Sequence, residues 1–248
     1  MGIEHAIIDG VGEVVLDIPP VNALDAPAWF ELAQAVTELG SDDDVRAVVL
    51  RAEGKGFCAG VDIKELADDP DRSKIIGVNR GCYAAFKAVY ECAVPVICAV
   101  HGFCLGGGIG LAGNADIIVA SDDATFGLPE VDRGALGAAT HLARLVPQHK
   151  MRAMVYTATP APARELHAWG SVLRVVERDA LRDAAFEVAR DIAAKPPTII
   201  RAAKESLNGI DPVDVNRSYR FEQGFTFELN LSGVSDRARA AFLEKPDQ

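Results

Sequence analysis

The fold of this chain is decided by the stretch His101-Gly102-Phe103-Cys104-Leu105-Gly106-Gly107-Gly108-Ile109-Gly110. An apolar run at 95–100 precedes it and small apolar residues at 109–112 follow, a pattern that predicts a strand, a glycine loop and a helix. Glycines without a Cβ let a ligand oxygen approach the backbone N–H groups, and a helix N-terminus adds partial positive charge. The stretch therefore predicts a site for an anion or a developing oxyanion.

The composition is that of an ordinary globular protein. With 248 residues, 49% of them hydrophobic, the chain can form one large domain or a domain with a helical appendage. A net charge of −11 argues against a nucleic-acid partner, which requires a basic face. The start has no basic stretch before an apolar one, and no window approaches about 20 uninterrupted apolar residues. We therefore expect a cytoplasmic protein without a membrane span.

The remaining pattern alternates strands with helices. Residues 3–18 predict a hairpin, and Asp25 is a helix N-cap candidate before an apolar helical periodicity. Apolar runs at 45–50, 116–121 and 172–176 predict further buried strands, whereas residues 134–157, broken at Pro147, and the chain from Ala180 onward predict helices. This order predicts the α/β class, with a parallel sheet followed by a C-terminal helical module.

Three further features are candidates for chemistry. A second small-residue loop, 57–62, follows a predicted strand, and Asp62 in it is suited to cap the next helix. Glu130 and Asp132 lie in a turn among apolar residues; the turn is either a solvated surface or places a carboxylate over an apolar pocket, where a raised pKa suits a base. His141 is either a packing residue of a helix face or catalytic.

The glycine stretch allows two other interpretations. Residues 108–113 match the G-x-G-x-x-G pattern of dinucleotide sites, but several residues separate the predicted strand from the first glycine of that pattern. Close packing of backbone is the second alternative. The five cysteines are odd in number and lack C-x-x-C spacing, so we expect neither a disulfide nor a metal site.

Taken together, the loops and the carboxylate turn resemble the crotonase family, also called the enoyl-CoA hydratase/isomerase superfamily, along nearly the whole chain. Residues 57–64 look like the family's first oxyanion loop and Gly106-Gly107-Gly108 like its second. The other matching motifs are Asn22-Ala23-Leu24, Phe126-Gly127-Leu128-Pro129-Glu130 and Ala241-Phe242-Leu243-Glu244-Lys245.

The resemblance implies an α/β fold, the ClpP-like spiral of ββα units, over residues 1–190 and a helical trimerisation region over 191–248. It also implies an acyl-CoA substrate, no separate cofactor, and a homotrimer or dimer of trimers. The backbone N–H groups of Val61 and Gly107 would hold the thioester oxygen. The other residues that the resemblance places around the CoA ester are Ala23, Ala59, Asp62, Ile63, Lys64, Gly106 and Gly110, with Phe242 and Lys245 from a neighbouring subunit.

One position departs from the family pattern. Hydratases of the family carry a glutamate where this chain has Gly110, so Glu130 is left without its usual partner and concerted hydration is disfavoured. Residues 79–82, 129–141 and 222–230 look like a subgroup of carbon–carbon hydrolases that open the five-membered ring of a steroid-derived bicyclic CoA thioester in cholesterol degradation.

That likeness implies attack of water on the ring ketone by a reverse-Claisen route. Glu130 or Asp132 would activate the water, and Gly110 would leave room for the fused ring. The alternatives are an enoyl-CoA hydratase or isomerase with a reassigned carboxylate, and a catalytically silent acyl-CoA-binding scaffold.

Overall fold

The computed structural model describes residues 2–67 and 73–244. Its strands are β1 (Gly2–Ile8), β2 (Val11–Asp17), β3 (Ala23–Leu24), β4 (Ala47–Ala52), β5 (Gly60–Val61), β6 (Val96–Val100), β7 (Phe103–Leu105), β8 (Ile117–Ser121), β9 (Thr125–Gly127), β10 (Ala161–Pro162) and β11 (Arg174–Val176). Its helices are α1 (Ala26–Ser41), α2 (Ile63–Ala67), α3 (Ser73–Tyr90), α4 (Gly107–Ala112), α5 (Ala139–Leu142), α6 (Gln148–Thr157), α7 (Ala163–Ala168), α8 (Leu181–Ala193), α9 (Pro197–Gly209), α10 (Val215–Leu231) and α11 (Val234–Leu243).

A six-stranded sheet in the order β1-β2-β4-β6-β8-β11 forms one layer of the molecule. Only the β1–β2 hairpin within it is antiparallel, and its turn at Asp9 and Gly10 has positive φ at both residues, as two-residue hairpins require. β6 is apolar and completely buried, and β4 is apolar and buried except at Arg51, as expected for strands covered on both faces. The predicted hairpin and parallel sheet are thus confirmed.

The chain winds as a spiral, because each central strand of this sheet is followed by a short strand outside it. The pairs β2–β3, β4–β5, β6–β7 and β8–β9 follow this rule. Of the second strands, β3 and β5 form one small sheet, and β7 and β9 form another together with β10. Helices α1, α3 and α4 close the first three turns. These are the ββα units that the family resemblance implies.

The C-terminal helices divide between two faces. α8 packs on β4, β6 and β8, so this layer extends to Ala193 and the expected domain boundary at 190 falls inside a helix. α10 and α11 instead pack on α3, α5 and the turn that contains Glu130. No helix of the described residues has both the length and the apolar character needed to cross a bilayer.

The prediction of a helix throughout 134–157 is wrong in its first part. Gly134, Gly137 and Ala138 have positive φ, which interrupts any right-handed helix before α5 begins. A side chain of α10 holds this loop. The Thr226 hydroxyl accepts from the N–H of Leu136 and donates to the carbonyl oxygen of Leu136. A long-range contact therefore decides the local conformation here.

Candidate active site

The two backbone N–H groups predicted to bind an oxyanion lie on adjacent turns of the spiral. Val61 ends β5 and Gly107 begins α4, and a Cβ on Gly60 would lie 2.9 Å from the nitrogen of Gly107. Asp62 N donates to Leu24 O at 2.9 Å, and successive N–H groups of a strand alternate in direction, so the Val61 N–H points away from β3. The Gly107 N–H, in the first helical turn, has no acceptor within α4. Both residues line the same pocket.

Asn22 braces the first of these loops. Its buried side chain accepts from Ile18 N at 2.7 Å and donates to the carbonyl oxygens of Glu53 and Gly56 at 2.8 and 2.9 Å. Ala59 N donates to the backbone oxygen of Asn22 at 3.3 Å. The chain that leads to Val61 is therefore fixed by one amide, which explains the place of Asn22 in the motif that precedes α1.

Glu130 presents its carboxyl group to the second loop. It begins a 3-10 turn, Glu130–Arg133, and a Cβ on Gly106 would lie 2.7 Å from its Oε1. Its Oε2 is buried and has no hydrogen-bond partner in residues 2–67 and 73–244. Burial raises the pKa of Glu130 to about 8, against the opposing charge of Arg133. The structure thus brings together a carboxyl group with one free oxygen, as far as the described residues show, and two oxyanion donors. The base role of Glu130 remains a prediction.

Asp132, the other candidate base, lies elsewhere. Its side chain is exposed, and it is not part of the pocket wall that contains Glu130. The turn Glu130–Arg133 points its first and last residues into the pocket and leaves Asp132 in solvent. This placement corrects the expectation that Asp132 could replace the missing family glutamate.

Phe86 occupies the space beside Gly110. A Cβ on Gly110 would lie 2.5 Å from Cε1 of the Phe86 ring, and closer still to two other ring carbons. The expectation that Gly110 leaves room for a fused ring of the substrate is therefore wrong, because a side chain of α3 fills that room. The same ring would exclude a glutamate at this position.

His141 packs in the layer behind the pocket. Its ring centroid lies 5.0 Å from that of Phe86 and 4.9 Å from that of Tyr219. These two aromatic residues line the pocket, whereas His141 does not. Burial lowers its pKa to about 3, so the ring is neutral, and its nitrogens have no hydrogen-bond partner in the described part of the chain. The geometry favours the packing interpretation over a catalytic role.

The other residues expected near a CoA ester fall into three groups. Ala59, Ile63 and Gly106 line the pocket, as predicted. Ala23 supports it indirectly, since it pairs with Gly60 in the β3–β5 ladder. The remaining group lies around α2: Asp62 accepts from Lys64 N at 2.9 Å, which is a capping contact, and the Lys64 side chain is exposed.

The C-terminal motif departs from expectation. The guanidinium of Arg133 lies 4.6 Å from the centroid of the Phe242 ring of the same chain, and Arg133 lines the pocket. Phe242 was expected to reach a neighbouring subunit, but α11 folds over the site of its own chain. Lys245 lies outside the described residues.

Several pocket residues were not identified as site residues from the sequence. Asn79 and Arg133 belong to stretches that resembled the hydrolase subgroup, which was the available signal. No sequence pattern marked Phe86, Tyr219 or Arg239 as site residues, because only the crossing of α3, α10 and α11 brings them together. The described residues that form the wall are Ala59, Val61, Ile63, Leu66, Ile75, Val78, Asn79, Cys82, Phe86, Gly106, Gly107, Glu130, Arg133, Ala135, Leu136, Gly137, Ala138, Tyr219, Thr226 and Arg239.

Comparison with known proteins gives concordant matches. The sequence profile described as enoyl-CoA hydratase/isomerase matches residues 6–247. A Mycobacterium tuberculosis (strain ATCC 25618 / H37Rv) protein named (7aS)-7a-methyl-1,5-dioxo-2,3,5,6,7,7a-hexahydro-1H-indene-carboxyl-CoA hydrolase is 64% identical over 236 residues, 95% of this chain and 96% of its own. A Rhodococcus jostii (strain RHA1) protein of the same name is 62% identical, covering 95% and 92%. The crystal structure of an enoyl-CoA hydratase/isomerase from Xanthobacter autotrophicus Py2 superposes with a TM-score of 0.87 at 28% identity, covering 98% and 92%.

Proposed function

The chain belongs to the enoyl-CoA hydratase/isomerase (crotonase) family, and we propose that it is a carbon–carbon hydrolase that opens the five-membered ring of a dioxo-hexahydroindene carboxyl-CoA. The observation that carries this proposal is the carboxyl group of Glu130, whose buried Oε2 has no hydrogen-bond partner in the described residues, beside two oxyanion donors and with the second carboxylate position closed by Phe86. The relatives named for this reaction, 62% and 64% identical over 95% of the chain, support the choice of substrate.

The reaction needs only these groups. Ionised Glu130 takes a proton from water while the water oxygen adds to the ring ketone carbon, forming a tetrahedral intermediate. The bond between that carbon and the ring-fusion carbon then breaks, and its electron pair passes through the conjugated ring into the thioester. The resulting enolate oxygen is stabilised by the N–H groups of Val61 and Gly107. Glu130 finally returns its proton to carbon, and the former ketone carbon becomes a carboxyl group that stays attached to the six-membered ring through the remaining carbons of the opened ring.

The proposed reaction consumes water and a CoA thioester, so it involves no cofactor. Concerted hydration of an enoyl double bond, by contrast, uses a general acid and a general base at once. Glu130 could supply one of these two groups. Gly110, which stands at the position of the other, has no side chain to supply it. The reverse-Claisen route uses a single base that returns its proton after the bond has broken. It therefore matches what this pocket contains.

The activity should depend on pH through Glu130. Its pKa of about 8 means that the base form of the free protein is the minor species at pH 7. We expect kcat/KM to rise about tenfold per pH unit below pH 8 and to level off above it, because this ratio reports the pKa of the free enzyme. The measurement is a kcat/KM profile from pH 6 to 9.5. A flat profile across this range would assign the base role to another group.

Two substrates distinguish the proposed function from its alternatives. The purified protein should turn over the bicyclic ketone-CoA and leave crotonyl-CoA almost unchanged. Rapid hydration of crotonyl-CoA without ring opening would identify a hydratase instead. Binding of both esters with turnover of neither would identify a silent acyl-CoA-binding scaffold.

We also infer that the chain assembles as a homotrimer or as a dimer of trimers. Large apolar side chains are exposed on the C-terminal helices, a pattern typical of surfaces covered by a partner. They are Ile199, Leu207, Ile210, Phe221, Phe225 and Leu231. Light scattering after gel filtration should give three or six times the chain mass of 26.4 kDa. The five unpaired, buried cysteines support the cytoplasmic location expected from the sequence.

A further inference from the structure

Arg133 differs from the other arginine of the pocket wall in having an unused hydrogen-bond donor. Arg239 donates to Asn230 Oδ1 at 3.0 Å and to Asp236 Oδ1 at 2.5 Å, so its guanidinium is held by protein oxygens. The Nε of Arg133 is buried and has no hydrogen-bond partner among the residues that the structure describes. Buried donors of folded proteins are nearly always satisfied, by protein, water or ligand. A ligand oxygen is therefore expected at Arg133.

The position of this donor is fixed by two contacts. Arg133 ends the 3-10 turn that Glu130 begins, so the base and the guanidinium lie one turn apart and both line the pocket. The centroid of the Phe242 ring lies 4.6 Å from the guanidinium carbon, a cation–π contact that helps to hold the group in place. A cation–π contact supplies no oxygen acceptor, so it leaves the Nε–H of Arg133 available to a ligand oxygen.

We propose that Arg133 binds the oxygen of the ring ketone and holds it as it becomes a carboxylate. This inference rests on the proposed function, in which two oxygens of the substrate gain charge. The backbone N–H groups of Val61 and Gly107 bind the thioester oxygen. The ketone oxygen is neutral in the substrate, negative in the tetrahedral intermediate and part of a carboxylate in the product, and it is bonded to the carbon that water activated by Glu130 attacks.

A guanidinium at that oxygen binds more strongly at each step, because its attraction grows with the developing charge. An interaction that is stronger in the transition state than in the substrate accelerates the reaction, rather than merely improving binding. Arginine also matches a carboxylate with two parallel hydrogen bonds, so the ring-opened product should bind well. Asn79, whose buried Nδ2 also has no partner in the described residues and lies in the same wall, is the competing donor.

The main test compares turnover by the wild type and the Arg133→Gln variant on the bicyclic ketone-CoA. We expect kcat to fall at least a hundredfold, with a much smaller change in KM, and Arg133→Lys to recover part of the loss. Arg164→Gln on the exposed face of α7 is the matched control and should keep full activity. Unchanged kcat in Arg133→Gln overturns the proposal, as does an equal loss in Arg133→Gln and Arg164→Gln.

A binding test covers the case in which Arg133 is only structural. Glutaryl-CoA and pentanoyl-CoA have acyl chains of equal length and differ in a terminal carboxylate. The wild type should bind glutaryl-CoA at least tenfold more tightly than Arg133→Gln does, while both bind pentanoyl-CoA equally. Equal loss for both esters would show a general defect and overturn the proposal. Loss of the carboxylate preference in Asn79→Ala instead of Arg133→Gln would assign the oxygen to the amide.

The two experiments also separate this inference from the proposed function. If the wild type does not open the ring, the proposed function fails, and the comparison of glutaryl-CoA with pentanoyl-CoA decides the role of Arg133 on its own. If the wild type opens the ring and Arg133→Gln does so equally well, only the role of Arg133 fails.

Discussion

Replacing Glu130 by glutamine is expected to reduce kcat/KM for ring opening by about a thousandfold, the usual worth of a positioned general base. Glutamine keeps the shape of the side chain against Gly106 but cannot accept the proton of the attacking water. The two oxyanion donors are unaffected, so the affinity for pentanoyl-CoA should stay within about threefold of the wild type. Steady-state kinetics and calorimetric titration of the same preparations measure both quantities.

Stability measurements on this variant separate the loss of the base from a loss of the fold. Folded Glu130 keeps its proton up to about pH 8, whereas its ordinary value is 4.5. The folded state therefore holds the extra proton between these values, and the free energy of unfolding of the wild type falls as pH rises through this window. Glutamine has no charge to bury, so Glu130→Gln should be the more stable protein, by a margin that grows from pH 5 to pH 8. Thermal unfolding at both pH values measures it.

The two carboxylates of the turn give a direct contrast. Asp132→Asn should retain most of the ring-opening activity, since its side chain is exposed and lies outside the pocket wall. If Asp132→Asn loses activity and Glu130→Gln keeps it, the base is Asp132, and the turn must rearrange when substrate binds.

Local sequence signals predicted the parts of the fold that local interactions determine. Asp25 caps α1 by accepting from Ala28 N at 2.9 Å, and the turn at Asp9 and Gly10 joins β1 to β2. The two oxyanion loops were also visible, because small residues after a buried strand mark a close approach of backbone. Stacking of successive turns then brings Val61 and Gly107 to one pocket without any special pairing signal.

The rest of the site depends on contacts between distant elements. Glu222 of α10 accepts from the backbone N–H groups of Ala139 and Thr140 at 2.9 and 2.5 Å, which fixes the loop above Glu130. Phe242 meets Arg133 only because α11 folds back over the same chain. No periodicity within 134–140 or 234–243 indicates these contacts. The local pattern therefore predicted a helix in the first segment, and for Phe242 only the family resemblance was available, which implied a neighbouring subunit.

The limit of prediction from the sequence is clearest at Gly110, which stands where hydratases of the family have a glutamate. The sequence reveals that the carboxylate is missing, but not what replaces it, because Phe86 lies on a helix from the preceding turn of the spiral. The Phe86 ring packs edge-on against Trp29, with centroids 5.5 Å apart. It also contacts the ring of the pocket residue Tyr219, with centroids 5.2 Å apart, and occupies the space beside Gly110. The lack of a side chain at Gly110 and the position of the Phe86 ring therefore depend on each other, because the ring occupies the space that a side chain would need.

Gly110→Ala is accordingly expected to lower the free energy of unfolding by about 3 kcal/mol, the upper range for overpacking of a rigid core. The added methyl group would overlap the Phe86 ring, and Trp29 and His141 behind the ring leave it little freedom to move. Gly77→Ala is the matched control: it lies within α3, the nearest described atom to its Cβ would be the Ala26 Cβ at an ordinary 3.5 Å, and it should stabilise the helix by about 0.5–1 kcal/mol. Urea unfolding of the two variants should therefore give shifts of opposite sign.

Pairing the change with Phe86→Ala tests whether the ring is what excludes a hydratase carboxylate. Gly110→Glu alone should be strongly destabilised and inactive on crotonyl-CoA, whereas Gly110→Glu with Phe86→Ala should regain stability, because the deleted ring makes room for the new side chain. We expect crotonyl-CoA hydration to stay low even then, since a catalytic carboxylate also needs neighbours that fix its geometry. Equal destabilisation of the single and double variants would show that Phe86 is not the obstacle, and efficient hydration by the single variant would show that the pocket accepts a second glutamate as it stands.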